Sequence, residues 1–153
     1  MGDAKNGKAW LSQPQVGRVK ESKLKQAFTI CIVDDDNGVR SSLENFLRSA
    51  GMNVRAFESA DAFLNIANGT DVDCLITDLH MPGTDGLALQ EELSRRRCQF
   101  PVIVMTAYPT DAARAQSAAL GATDFLVKPI DPEMLLDRVE ELLTQHMTKR
   151  DMP

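Results

Sequence analysis

The chain has 153 residues, 43% hydrophobic and 25% charged, with a formal net charge of −5. That composition fits one globular domain whose core needs no disulfide or metal staple. It excludes a disulfide framework, since Cys31, Cys74 and Cys98 are odd in number and lack paired spacing, and it offers no apolar stretch of membrane-spanning length.

Residues 1–26 form a basic extension expected to be flexible. Lys5, Lys8, Arg18, Lys20, Lys23 and Lys25 stand against Asp3 and Glu21, about +4, which leaves about −9 for the rest of the chain. Gly, Lys, Asn, Ser and Gln recur there without a sustained period. The extension is too sparse, and the remainder too acidic, to predict nucleic-acid binding. No apolar leader opens the chain, and unpaired thiols suit a reducing compartment, so a cytoplasmic location is expected.

From Phe28 the pattern turns regular. Phe28–Val33 is a continuous apolar run, as for a strand buried on both faces. Val39, Leu43, Phe46, Leu47 and Ala50 keep helical spacing up to Gly51, and Asn53–Phe57 is a short strand. Ser59 caps a helix to about Ala67, with Asn68-Gly69 as the stop. Val72–Thr77 is a third strand, Leu87–Arg97 a helix and Pro101–Met105 a fourth strand. Asp111–Leu120 is an Ala-rich helix ended by Gly121, and Asp124–Val127 is a fifth strand. Asp131 and Pro132 occupy the N-cap and first position of a last helix, with Leu135, Leu136, Val139, Leu142 and Leu143 inward. Five strand-then-helix units predict a doubly wound α/β domain with a parallel sheet over residues 27–146, followed by a polar tail, 147–153.

Ligands in such folds bind beyond the carboxyl ends of the strands. Asp34, Asp35 and Asp36 follow the first strand. Asp78, Leu79, His80, Met81 and Pro82 follow the third, Thr106, Ala107 and Tyr108 the fourth, and Lys128 and Pro129 the fifth. Asp34, Asp35 and Asp78 would repel one another unless a cation bound among them. Mg²⁺ suits one or two carboxylates plus waters. A carboxylate can also be the nucleophile of phosphoryl transfer, with Lys128 pairing one phosphoryl oxygen and Thr106 donating a hydrogen bond to another.

Four stretches, IVDDDNGVR, DLHMPGTDG, VIVMTAYP and ATDFLVKPID, resemble the receiver domain of two-component response regulators, over about Ala27 to His146. The MT-A and DF-x-KP segments are most similar to regulators of the nitrogen-fixation type. The resemblance implies a flavodoxin-like sheet of order 2-1-3-4-5 with five helices. It implies Asp78 as phosphoacceptor and Mg²⁺ as cofactor. Asp35 would be a direct ligand, Asp34 would act through water, and the His80 backbone carbonyl would be the third protein ligand. Thr106 and Lys128 would contact the phosphoryl group, Thr106 and Phe125 would carry the switch, and Lys128-Pro129 would be a cis peptide. A sensor histidine kinase or phosphotransfer protein would be the donor. Homodimerisation or docking on the face of the fourth helix, fifth strand and fifth helix would be the output. The domain would catalyse only its own phosphotransfer and dephosphorylation. Such regulators usually continue into a DNA-binding domain; none is read from these residues, so a stand-alone or excised receiver is expected. Asp36 matches a position the family does not keep acidic and is expected to be a solvated loop acid, and the His80 side chain is expected to point away from the pocket.

Three rivals differ in stated features. A haloacid-dehalogenase-like phosphatase would place both acids, DxDx[TV], at one strand end. A flavodoxin-like cofactor binder would need a phosphate-cradling loop where DDDNG stands. A receiver that only binds proteins would not need the full set of acids, hydroxyl and lysine.

Overall fold

The computed structural model describes residues 28–66 and 71–151. The basic extension and the Asn68-Gly69 stop lie outside the described residues. The order is β1 (Thr29–Val33), α1 (Asn37–Ser49), β2 (Asn53–Phe57), α2 (Ala60–Ile66), β3 (Cys74–Asp78), α3 (Gly86–Arg95), β4 (Val102–Thr106), α4 (Asp111–Ala119), β5 (Asp124–Val127) and α5 (Pro132–Asp151). The five strands form one sheet of order β2-β1-β3-β4-β5. Every pairing is parallel, as the alternating pattern and the resemblance both led one to expect.

A two-residue period divides the core. Ile30 and Ile32 point with Ile76, Ile103 and Met105 toward α1 and α5, where Leu43, Leu47, Leu135 and Val139 meet them. Cys31 and Val33 point the other way, with Leu75 and Val104, toward Phe63 of α2 and Leu89 and Leu93 of α3. The central strands are therefore buried on both faces, which is why they read as unbroken apolar runs rather than alternating ones. Burial pushes the Cys31 thiol up to about 11 and the Cys74 thiol up to about 12. These two act as small apolar residues and not as nucleophiles.

Helix starts follow local chemistry. The Ser59 hydroxyl accepts from Ala62 N–H at 3.0 Å. Thr110 caps α4 through Ala113 N–H at 3.0 Å, and Asp131 accepts from Glu133 N–H at 3.0 Å. Each satisfies an amide that the first helical turn leaves without a partner.

Several expected boundaries move. α3 stops at Arg95, two residues early, because Arg97 turns into the left-handed region at φ 60°. β3 and β4 each take in the next polar residue, Asp78 and Thr106, since the ladder continues to the Asp78–Met105 and Thr106–Val127 pairs. α5 runs through Asp151, past the boundary expected at 146. Nothing from residue 147 to Asp151 breaks a helix. Asp36 is exposed but is not a mere loop acid. It is the N-cap of α1, accepting from Val39 N–H at 3.1 Å. Asp36→Ala should therefore lower stability by about 1 kcal/mol, read as a lower urea midpoint at unchanged slope.

Candidate functional site

The sheet brings the sequence-selected residues to one edge. Asp34 immediately follows β1 and extends its pairing toward β2, its N–H donating to Phe57 carbonyl at 3.1 Å. Asp78 ends β3, the neighbour of β1, and Thr106 ends β4. Lys128 follows β5, its N–H donating to the Thr106 carbonyl at 2.8 Å. Because all strands run the same way, these four side chains share the carboxyl edge.

At that edge Asp34 is fully buried, Asp78 is only 6% exposed and Asp35 is exposed. One carboxylate oxygen from each lies within 4.8 Å of one from the others. Lys128 Nζ sits 2.9 Å from Asp34 Oδ2 and 3.4 Å from Asp78 Oδ1. The donor set is all oxygen, closely spaced, with one carboxylate open to solvent. That chemistry fits a hard divalent cation such as Mg²⁺ and would suit a thiophilic one poorly.

The ionisation balance follows from this packing. Burial first, and the Asp34 carboxylate second, push the Asp78 acid above the ordinary range, with Lys128 pulling the other way without prevailing. For Lys128, burial alone would lower the pKa. Its hydrogen bond and charge contact with Asp34, together with Asp78, outweigh that and raise it. Lys128 is therefore held charged.

The remaining expected residues occupy a second arc. Thr106 is buried, and its hydroxyl accepts from Tyr108 N–H at 3.0 Å, which leaves its own proton to be offered. Tyr108 is 73% exposed, and its ring meets the His80 ring edge-on, with centroids 6.0 Å apart. The His80 side chain is exposed. Phe125 is half-buried, with the Arg114 guanidinium 4.6 Å above its ring. Lys128-Pro129 is a cis peptide, as expected. Gly86 shows why DG closes the segment after β3. A Cβ there would stand 2.7 Å from the Asp78 carbonyl oxygen and 2.8 Å from Leu79 Cα, so only glycine lets α3 begin so close to Asp78.

Two participants were not found from the sequence. Arg40 donates to the Asp34 backbone carbonyl at 2.7 Å, and Gln90 of α3 donates to the Ser117 carbonyl of α4 at 3.1 Å. Neither stands at a strand end, so a search confined to strand ends passes over both.

Fold and edge together define a receiver-type α/β domain: five parallel strands, switch-point order, buried acids and a lysine at the carboxyl edge. The chain belongs to the response regulator receiver domain family, whose model matches residues 30–140. It is a two-component signal-transduction domain. Over 116 residues it is 35% identical to the transcriptional regulatory protein FixJ of Bradyrhizobium diazoefficiens, covering 76% of this chain and 57% of that protein. Over 133 residues it is 37% identical to the transcriptional regulatory protein TdiR of Thauera aromatica, covering 87% and 59% respectively. The crystal structure of FixJ-N aligns with a TM-score of 0.71 at 33% identity, covering 78% of this chain and 95% of that one. The likeness to the nitrogen-fixation type thus agrees with the MT-A and DF-x-KP segments. The chain spans less than three-fifths of the length of either curated relative.

Since the folded protein holds Asp78 above its ordinary range, ionised Asp78 opposes folding at neutral pH. In divalent-free buffer Asp78→Asn should raise Tm at pH 7. The gain should shrink as pH falls through the ordinary aspartate value of 3.8, below which folded and unfolded chains both bind the proton. Thermal melts at the two ends of that range check the sign.

Proposed function

We propose that this domain accepts a phosphoryl group on Asp78 from a sensor histidine kinase or phosphotransfer protein, with Mg²⁺ as cofactor, and so switches a protein-interaction face. The observation that carries this reading is the convergence of Asp34, Asp35 and Asp78 within 4.8 Å with Lys128 bridging two of them.

Asp34, Asp35 and Asp78, with the His80 carbonyl, would hold the cation, which when bound supplies neutralisation of charge on phosphoryl oxygens. Asp78 attacks phosphorus with a carboxylate oxygen, forming the P–O bond as the donor's P–N bond breaks, and the departing imidazole takes up a proton. Lys128 pairs with one phosphoryl oxygen and Thr106 donates to another. The buried position of Asp78 keeps bulk water from competing. The chain turns over no external substrate beyond its own phosphotransfer and dephosphorylation.

The output follows from Thr106. Drawing its hydroxyl toward a new dianion disturbs the contact with Tyr108 N–H and, through β4, the position of Phe125 under Arg114. These residues belong to α4, β5 and the loop before α4, so the affected face is that of α4, β5 and α5. Exposed Val127 and Met134 on that face suit a second copy or another protein. Moving such an equilibrium from 1:99 to 99:1 takes about 5.5 kcal/mol, the scale of a few charge-assisted hydrogen bonds. The described part is acidic and is not proposed to touch DNA. Among the described residues no helix is long and apolar enough to cross a membrane; a cytoplasmic location is proposed from the free thiols Cys31, Cys74 and Cys98.

Incubation with a small phosphodonor and Mg²⁺ should add one phosphoryl group by mass to the wild type and none to Asp78→Asn; equal modification of both would refute the assignment. The exposed Tyr108 beside His80 is placed to limit the approach of hydrolytic water. Tyr108→Ala should shorten the phosphorylated lifetime several-fold, followed by loss of the modified mass after donor removal.

A further inference from the structure

The loop from Asp34 to Asn37 carries two of the three clustered carboxylates, so its shape decides where they point. Part of that shape is local: Asp36 N–H donates to Asp34 Oδ1 at 2.9 Å. The rest comes from α1. Half-buried Arg40 reaches back over the loop, Nη1 donating to the Asp34 backbone carbonyl at 2.7 Å and Nη2 to Asn37 Oδ1 at 2.8 Å. Both bonds land on neutral acceptors.

We propose that Arg40 is a positioning residue for the cation site, its two-pronged grip holding the Asp34–Asn37 loop so that the Asp34 and Asp35 carboxylates stay presented to the metal. The proposal rests on the Mg²⁺ reading above and goes beyond it by naming what builds the site. The two cations beside the acids then differ in role. Lys128 bonds the carboxylate oxygens themselves. Arg40 bonds the backbone that carries them, a job that suits a planar fork better than an ammonium point charge.

Positioning and plain electrostatics predict opposite signs. Removing a positive charge beside a cation site should tighten Mg²⁺ binding by Coulomb's law alone. Removing the grip should weaken it, because residues that orient metal ligands typically govern affinity by about 10–100-fold. A third effect, general loosening of α1, has its own control. Arg48 on the same helix also donates to a backbone carbonyl, that of Val54 at 2.8 Å, and pairs with Glu44 at 2.9 Å, but it serves β2 and not the acidic loop.

The test is calorimetric Mg²⁺ titration of the full chain as wild type, Arg40→Ala, Arg40→Lys, Arg48→Ala and Asp35→Ala, with melting curves in chelator and hydrogen exchange at the Asp36 amide. Arg40→Ala should bind Mg²⁺ about 10-fold more weakly and exchange the Asp36 amide faster. Arg40→Lys, which keeps the charge and at most one of the two bonds, should fall between. Arg48→Ala should melt lower yet keep wild-type affinity. Unchanged or tighter binding by Arg40→Ala overturns the proposal, as does an equal loss in Arg48→Ala or full wild-type affinity in Arg40→Lys. If Arg40→Ala does not fold, the Arg40→Lys and Arg48→Ala comparison decides alone. A wild type that binds no Mg²⁺, like Asp35→Ala, overturns the metal reading itself and this proposal with it.

Discussion

Two buried carboxylates at adjacent strand ends, Asp34 and Asp78, are the constraint around which the rest of the domain is arranged. At about 4 Å and an effective dielectric near 20, two such charges repel by roughly 4 kcal/mol. Burial adds a desolvation cost. The fold tolerates them because Lys128 is delivered between them from β5, two places from β3 and three from β1. That delivery is itself structural. The sheet order β2-β1-β3-β4-β5 sets β1 beside β3, and the bond from Lys128 N–H to the Thr106 carbonyl ties the loop after β5 to the end of β4. Sheet topology, rather than any local motif, assembles the charges.

The same arrangement makes the edge sensitive to added charge. Asp34, Asp35 and Asp78 carry three negative charges against one from Lys128, a surplus of two that a divalent cation would cancel. Under the proposed function, Lys128 would then have less carboxylate charge to neutralise and could turn to a phosphoryl oxygen. At the α3–α4 contact the buried Gln90 side chain donates to the Ser117 carbonyl, which joins the two helices through a polar bond within apolar packing. α4 is also the helix that borders Phe125, through Arg114 over its ring.

The fold was readable because each central strand is an unbroken apolar run and each helix is apolar on one side only. Where the sequence reading erred, tertiary or end effects decided. Asp78 and Thr106 look like loop residues by polarity but lie inside strands, because ladder bonds to neighbouring strands extend one residue past the apolar run. The end of α3 turns on the left-handed backbone of Arg97, an arginine that carries no turn signal. The residues of the edge were legible because strand ends are few and their polar residues conspicuous. Asp36 was misjudged for the same reason: beside two functional acids it looked redundant, whereas its position before Asn37 made it a cap. Arg40 was invisible because its partner is a backbone carbonyl, which sequence does not display.

The contrast between Asp34, Asp35 and Asp36 shows how one run of identical residues divides its work. A β-strand alternates side chains between faces, and the chain leaves β1 at Val33 with Asp34 still paired to β2. Asp34 is thereby carried into the interior. Asp35 projects to the exposed rim, and Asp36 turns to accept the Val39 amide in the first turn of α1. The Asp36 N–H bond to Asp34 Oδ1 then links the cap to the buried acid. The helix start and the charged site are consequently one structure. Anything that reshapes the first turn of α1 reaches Asp34 through the Asp36 cap and its N–H bond to Asp34 Oδ1, and anything bound at Asp34 is felt at the start of α1.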